Sequence, residues 1–148
     1  MKILVLNGPN LNLLGLRDQY QYGALSTQII ETKIKNDFPN DEFTFFQSNS
    51  ESEICLWVQK AAEFDGVILN PGGFTHTSVA IRDAIESSVK PIIEVHLSNI
   101  SSREYFRKNH LTSAKTLGYI SGFKENSYLA GVFLLKTMFE AKQREGEK

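Results

Sequence analysis

Val67-Ile68-Leu69-Asn70-Pro71-Gly72-Gly73-Phe74-Thr75-His76-Thr77-Ser78 joins an apolar, β-branched run to a polar turn that carries a glycine pair. The run is apolar at successive rather than alternate positions, the mark of a strand buried on both faces. The turn leads into a helical pattern from about Thr77 to Ser88. A second stretch repeats the arrangement, with Pro91-Ile92-Ile93-Glu94-Val95 running into His96-Leu97-Ser98-Asn99. Open α/β sheets place their ligands outside the carboxyl ends of the strands. The two segments therefore mark a fold class and a site together.

The same alternation continues outward in both directions. Ile3-Leu4-Val5-Leu6 reads as a first strand. A helix follows from Leu25 to Phe38, with Ser26 as N-cap and Leu25 and Ile30 as a hydrophobic staple. Glu42 to Gln47 is a second strand. Ser50 and Glu53 predict a capping box and a helix to about Phe64. Ser101 and Glu104 predict another box before a short helix. Leu117 to Ile120 is a fifth strand ended by Gly122, and Asn126 or Ser127 caps a last helix to about Lys142. The charged tail beyond is expected to fray. Five such β-α units in 148 residues predict one domain over residues 1–148. Its expected fold is a flavodoxin-like, doubly wound, five-stranded parallel sheet in three α/β/α layers, with strand one beside strand three.

Composition narrows the function. A net charge of −1 gives no general affinity for nucleic acid or membrane. The lone cysteine, Cys55, forms no internal disulfide and suits a reducing compartment. The apolar run after Lys2 is too short for a signal peptide or a membrane span. A cytoplasmic protein is expected. Cys55, Trp57, Met138 and the aromatics of the last helix fit apolar helical patterns and are expected in the core. The chain has no Gly-x-Gly-x-x-Gly and no Walker loop. Three scattered histidines lack metal-ligand spacing, so neither cofactor nor metal is expected. No lysine ends a predicted strand, which leaves a Schiff base without a nucleophile. A receiver domain would share the fold, but it needs an aspartate where this chain has Asn70.

The polar strand ends supply the candidate chemistry. Gly72 and Gly73 let backbone approach a ligand, and a helix start there favours an anion. An ordinary turn accounts for this segment equally well, except for His76. His96 suits general acid chemistry near neutral pH. Glu94, two residues earlier, shares its face of the strand; it either orients the imidazole or pairs with a neighbouring helix. Arg103 and Arg107, spaced i, i+4 on a predicted helix, would clamp a carboxylate or hydroxyls, or form a solvated basic face. The connection from Asn7 to Ala24 is far longer than the usual βα loop of about 2–6 residues, as lids and binding loops often are. It carries Arg17, Tyr20 and Tyr22. A tyrosine serves as a base only with its pKa lowered by a nearby cation, and Arg17 is the candidate.

Read together, these segments resemble the type II 3-dehydroquinases. The resemblance covers nearly the whole chain. It rests on Asn7-Gly8-Pro9-Asn10-Leu11-Asn12-Leu13-Leu14-Gly15 with Arg17 and Tyr22-Gly23. It rests equally on Gly72 to Ser78 with Arg82-Asp83, and on Ile93-Glu94-Val95-His96 with Ser98-Asn99 and Arg103. The family dehydrates 3-dehydroquinate to 3-dehydroshikimate by anti elimination through an enolate, without metal or Schiff base, in the shikimate or quinate pathway. The resemblance implies Tyr22 as the base at C2 and Arg17 as the group that lowers its pKa and holds the lid. Asn10 would orient a water at the enolate oxygen. His96 would protonate the departing C1 hydroxyl, with Glu94 orienting nearby groups. Asn70, His76 and Arg107 would bind ring hydroxyls, and the backbone at Leu97 and Ser98 the carboxylate. It also implies a homododecamer, a tetramer of trimers, in which Asp83 reaches a neighbouring subunit's site. One departure stands in the lid. Where the family usually has arginine-glutamate-proline, this chain has Arg17-Asp18-Gln19. Loss of a proline frees backbone torsions and predicts a more mobile lid with weaker substrate capture.

Overall fold

The apolar runs form the strands they predict. A computed structural model describes residues 1–16 and 25–146. Its strands are β1 (Lys2–Asn7), β2 (Glu42–Gln47), β3 (Gly66–Asn70), β4 (Ile92–His96) and β5 (Gly118–Ser121). Among the described residues the α-helices are α1 (Thr27–Asp37), α2 (Glu51–Gln59), α3 (Val79–Glu86) and α4 (Asn126–Gly146). The sheet is parallel throughout, in the order β2-β1-β3-β4-β5. The order reverses at β1, so β1 and β3 lie side by side, as the flavodoxin-like reading requires.

Strand alternation sorts the core into two layers. Ile3, Val5, Ile68, Ile93 and Val95 face one side, where Ile30 and Ile34 of α1 and Tyr128, Val132 and Leu135 of α4 cover them. Leu4, Leu6, Val67, Leu69 and Ile92 face the other, under Ile54 and Val58 of α2 and Ile81 and Ile85 of α3. This two-sided burial is why β1, β3 and β4 lack polar alternation. Leu25 and Ile30 are buried in the same cluster across the Ser26 cap, whose Oγ accepts the Ile29 N–H.

Several local expectations are corrected. Ser50 Oγ accepts the Glu53 N–H at 3.4 Å, but the Glu53 carboxylate turns to the Ser48 hydroxyl, which already takes the Ser50 N–H. The Ser101–Glu104 box does not form. Asn99 caps a 3₁₀ turn at Ile100–Ser102, and Glu104 bonds Arg107 within a second turn, Tyr105–Lys108. α3 begins at Val79, behind Ser78 as N-cap, because Gly72–His76 is itself a 3₁₀ turn. α4 runs to Gly146, past the expected helix end at about Lys142, its last turns built from strong helix formers such as Ala141, Lys142 and Gln143. Phe133 of that helix points outward at 61% exposure instead of joining the core. Among the described residues no helix is long and apolar enough to cross a membrane.

Candidate active site

The ends of β1, β3 and β4 open onto a cleft of about 220 Å³. Its walls come from the segments singled out in the sequence. Asn10 and the Leu11–Leu13 turn follow β1. Asn70, Gly72, Gly73 and His76 follow β3, and His96, Leu97 and Ser98 end β4. Arg103 and Arg107 close the far side from two successive 3₁₀ turns, not from one helix face. Of the expected site residues, Arg17 and Tyr22 lie outside the described residues, as does the Arg17-Asp18-Gln19 lid sequence. Glu94 stands behind His96 and does not line the cleft. Asp83 does not line it either: on α3 it pairs with Arg82 at 2.7 Å and is exposed.

Close backbone approach builds the crevice. The Gly8 N–H donates to the Asn70 carbonyl at 2.7 Å, and a Cβ on Gly8 would lie 2.5 Å from the Pro71 carbonyl oxygen. Only glycine lets the two loops meet there. Asn10 has a left-handed backbone at φ 68°, which asparagine tolerates better than most residues. Its N–H donates to Asn49 Oδ1 at 2.9 Å, and Gln47 Nε2 holds both that oxygen and the Gly8 carbonyl.

Asn70 is held from beneath. Asn7 and Asn70 are register partners at the ends of β1 and β3. Tyr128 of α4 rises between them, donating to Asn7 Oδ1 at 2.7 Å and accepting from Asn70 Nδ2 at 2.8 Å. Complete burial pushes the Tyr128 phenol well above the ordinary tyrosine range, so it stays a donor. Asn70 Oδ1 accepts the Gly72 N–H. Among the described residues, its second amide N–H has no partner and faces the cleft.

The two cleft histidines are poised differently. His76 Nδ1 meets the Asn109 carbonyl at 2.6 Å, which makes Nδ1 the donor and leaves Nε2 an acceptor. Burial lowers its pKa below 6.5, assisted by the Arg107 charge. His96 Nε2 lies 2.6 Å from Glu94 Oε1. An ionised carboxylate only accepts, so Nε2 carries hydrogen and Nδ1 is the nitrogen left for chemistry. Glu94 is wholly buried, and its remaining partners are the hydroxyls of Thr75 and Thr112. The alternative reading of Glu94, an ion pair with a helix, is not what the structure holds.

Sequence reasoning passed over Tyr128, Thr112 and Thr75. Thr75 stood inside a quoted motif, adjacent to His76. Tyr128 was classed as core, and Thr112 carries no local signal. Among the described residues, no three His, Cys, Asp or Glu side chains gather as metal ligands.

Such a cleft, with a carboxylate-oriented imidazole, an oriented amide and two guanidinium groups at the strand ends of a flavodoxin-like sheet, defines an α/β enzyme of small, oxygen-rich molecules. Relatives narrow the class. The model of the family described as dehydroquinase class II matches residues 1–136, and the chain belongs to that family. It is 43% identical to a 3-dehydroquinate dehydratase of Carboxydothermus hydrogenoformans over 149 positions, covering 99% of this chain and 97% of the relative. It is 49% identical over 142 positions to one of Fusobacterium nucleatum, covering 91% and 96%. The crystal structure of a type II dehydroquinase from Butyrivibrio crossotus superposes with a TM-score of 0.88 at 40% identity, over 92% of this chain and 97% of that one.

Proposed function

We propose that the chain, acting as a single catalytic domain, dehydrates 3-dehydroquinate to 3-dehydroshikimate by anti elimination through an enolate. Tyr22, as phenolate, takes the C2 proton, and Arg17 lowers its pKa. The C2–H electrons pass into the enolate, whose oxygen is stabilised by a water that Asn10 orients. Collapse of the enolate forms the C1–C2 double bond and breaks the C1–O bond. His96, as imidazolium, gives its Nδ1 proton to the departing hydroxyl, and water leaves. Asn70, His76 and Arg107 hold ring hydroxyls, and the backbone at Leu97 and Ser98 holds the carboxylate. The observation that carries the reading is His96, fixed by Glu94 through Nε2, in one cleft with Asn10, Asn70, His76 and Arg107.

The physics favours this division of labour. Charge that develops on an enolate is best met by donors already in place. A phenolate beside a guanidinium is a strong base near neutral pH. The homododecamer, with Asp83 reaching a neighbour's cleft, belongs to the same proposal. Asp83 is exposed, as are Phe133 and Leu134 on α4 and Tyr119 on the edge strand β5. Exposed large apolar groups of this kind suit an assembling chain. A reducing cytoplasm suits the free Cys55.

The test adds 3-dehydroquinate to the purified protein and follows the ultraviolet band of the conjugated enone. The band should grow with wild type and vanish with Tyr22→Phe. His96→Ala should stall hydroxyl departure yet still exchange the C2 proton with solvent. A flat trace from folded wild-type protein would overturn the proposal.

A further inference from the structure

A carboxylate with no accessible surface needs partners for its charge. Among the described residues no lysine or arginine pairs with Glu94; its one charged-group contact is His96. Two buried hydroxyls make up the rest. Thr75 Oγ1 donates to Glu94 Oε1 at 2.7 Å, and Thr112 Oγ1 reaches Glu94 Oε2 at 2.7 Å. The two hydroxyl oxygens are 2.9 Å apart. Each carboxylate oxygen thus has its own hydroxyl, and Oε1 keeps a second lone pair toward His96 Nε2. Two points of attachment fix the plane of the carboxylate, and that plane fixes the imidazole.

The threonines come from separate loops. Thr75 precedes His76 on the β3–α3 connection. Thr112 follows the turn that carries Arg107, and the Leu111 N–H donates to the Thr75 carbonyl at 2.7 Å. The triangle of Thr75, Thr112 and Glu94 therefore joins the three segments that carry His76, Arg107 and His96. Neither threonine lines the cleft, so neither would touch substrate.

We infer that Thr75 and Thr112 are positioning residues for the elimination, holding the Glu94 carboxylate so that His96 presents its Nδ1 proton to the leaving hydroxyl. The inference rests on the reaction proposed above. It places the demand on catalysis rather than capture: loss of a hydroxyl should lower kcat and leave KM nearly unchanged.

The experiment compares wild type with Thr112→Val and Thr112→Ser. It reads kcat, KM and the pH profile of kcat with 3-dehydroquinate, and the ¹⁵N resonances of the His96 ring without substrate. Valine keeps the shape and removes the donor; serine restores it. Loss of the restraint on the His96 ring is expected to lower kcat roughly tenfold. We expect that fall in Thr112→Val with KM within about twofold, a displaced pH limb and shifted His96 resonances, all reversed in Thr112→Ser. Unmoved His96 resonances in a folded Thr112→Val would overturn the inference, as would a serine variant as impaired as the valine one. If Thr112→Val does not fold, Thr75→Val removes the other hydroxyl and is read the same way. A wild-type protein without turnover would defeat the proposed reaction instead, and the ring resonances would still decide the positioning role.

Discussion

Tyr128 shows how much one buried hydroxyl can organise. It joins the ends of β1 and β3 and, among the described residues, leaves Asn70 with a single N–H for the cleft. Tyr128→Phe keeps the ring and removes the hydroxyl, stranding Asn7 Oδ1 and Asn70 Nδ2 without their partner. The expected cost is about 1–3 kcal/mol of stability, measurable by urea unfolding. KM should rise as Asn70 loses its orientation, with kcat less affected. At the same scale, burial disfavours the His76 cation and lowers its pKa, which suits its Nε2 to accept a hydrogen bond from a ligand hydroxyl rather than to act as an acid. His96, His76 and Asn70 were legible in the sequence because each ends a strand or sits in the turn after it. Thr112 was not, because its meaning lies in a partner on another loop.

Elements decide how near those residues stand. The Gly8–Pro71 contact sets the spacing of the β1 and β3 loops. Gly8→Ala would force a Cβ against backbone that has no side chain to move aside. The loops must separate, and a loss of about 1–3 kcal/mol follows. Thermal unfolding should show it, together with a fall in kcat/KM larger than the change in stability explains. At position 19, outside the described residues, Gln19→Pro should lower KM if the missing proline weakens capture; an unchanged KM and unchanged proteolysis of that segment would count against the expectation. The strands were readable because β-branched runs are local signals. The two 3₁₀ turns after β4 were not, because the Ser101–Glu104 pattern is a true helix signal and other short-range bonds took its place: Asn99 Oδ1 accepts the Ser101 N–H, Glu104 bonds Arg107, and His110 donates to the Arg107 carbonyl. Arg103 and Arg107 still reach the cleft, by a different route from the one expected.

Across the whole molecule, β2, the outermost strand beside β1, is tied to α4 by a buried charge. Asp41 receives the Met1 ammonium at 2.7 Å and the Lys136 ammonium. Burial alone would raise its pKa, but these two cations outweigh that and hold it below 3.8. A depressed carboxylate pKa stabilises the fold above the unfolded value and ceases to do so as pH falls through the folded one. Asp41→Asn should therefore destabilise the protein at neutral pH by about 1–3 kcal/mol. The gap from wild type should close as pH falls below 3.8. Unfolding curves across that range check both. By itself the sequence determined the order of strands and helices, the parallel sheet and the strand ends at which chemistry gathers. Those follow from periodicity and turn residues, which act over a few positions. Only the tertiary structure decided which hydroxyls hold the site residues. Tyr128 meets Asn7 across 121 positions and Thr112 meets Thr75 across 37, and such pairings exist only once the sheet and its two helical layers have packed.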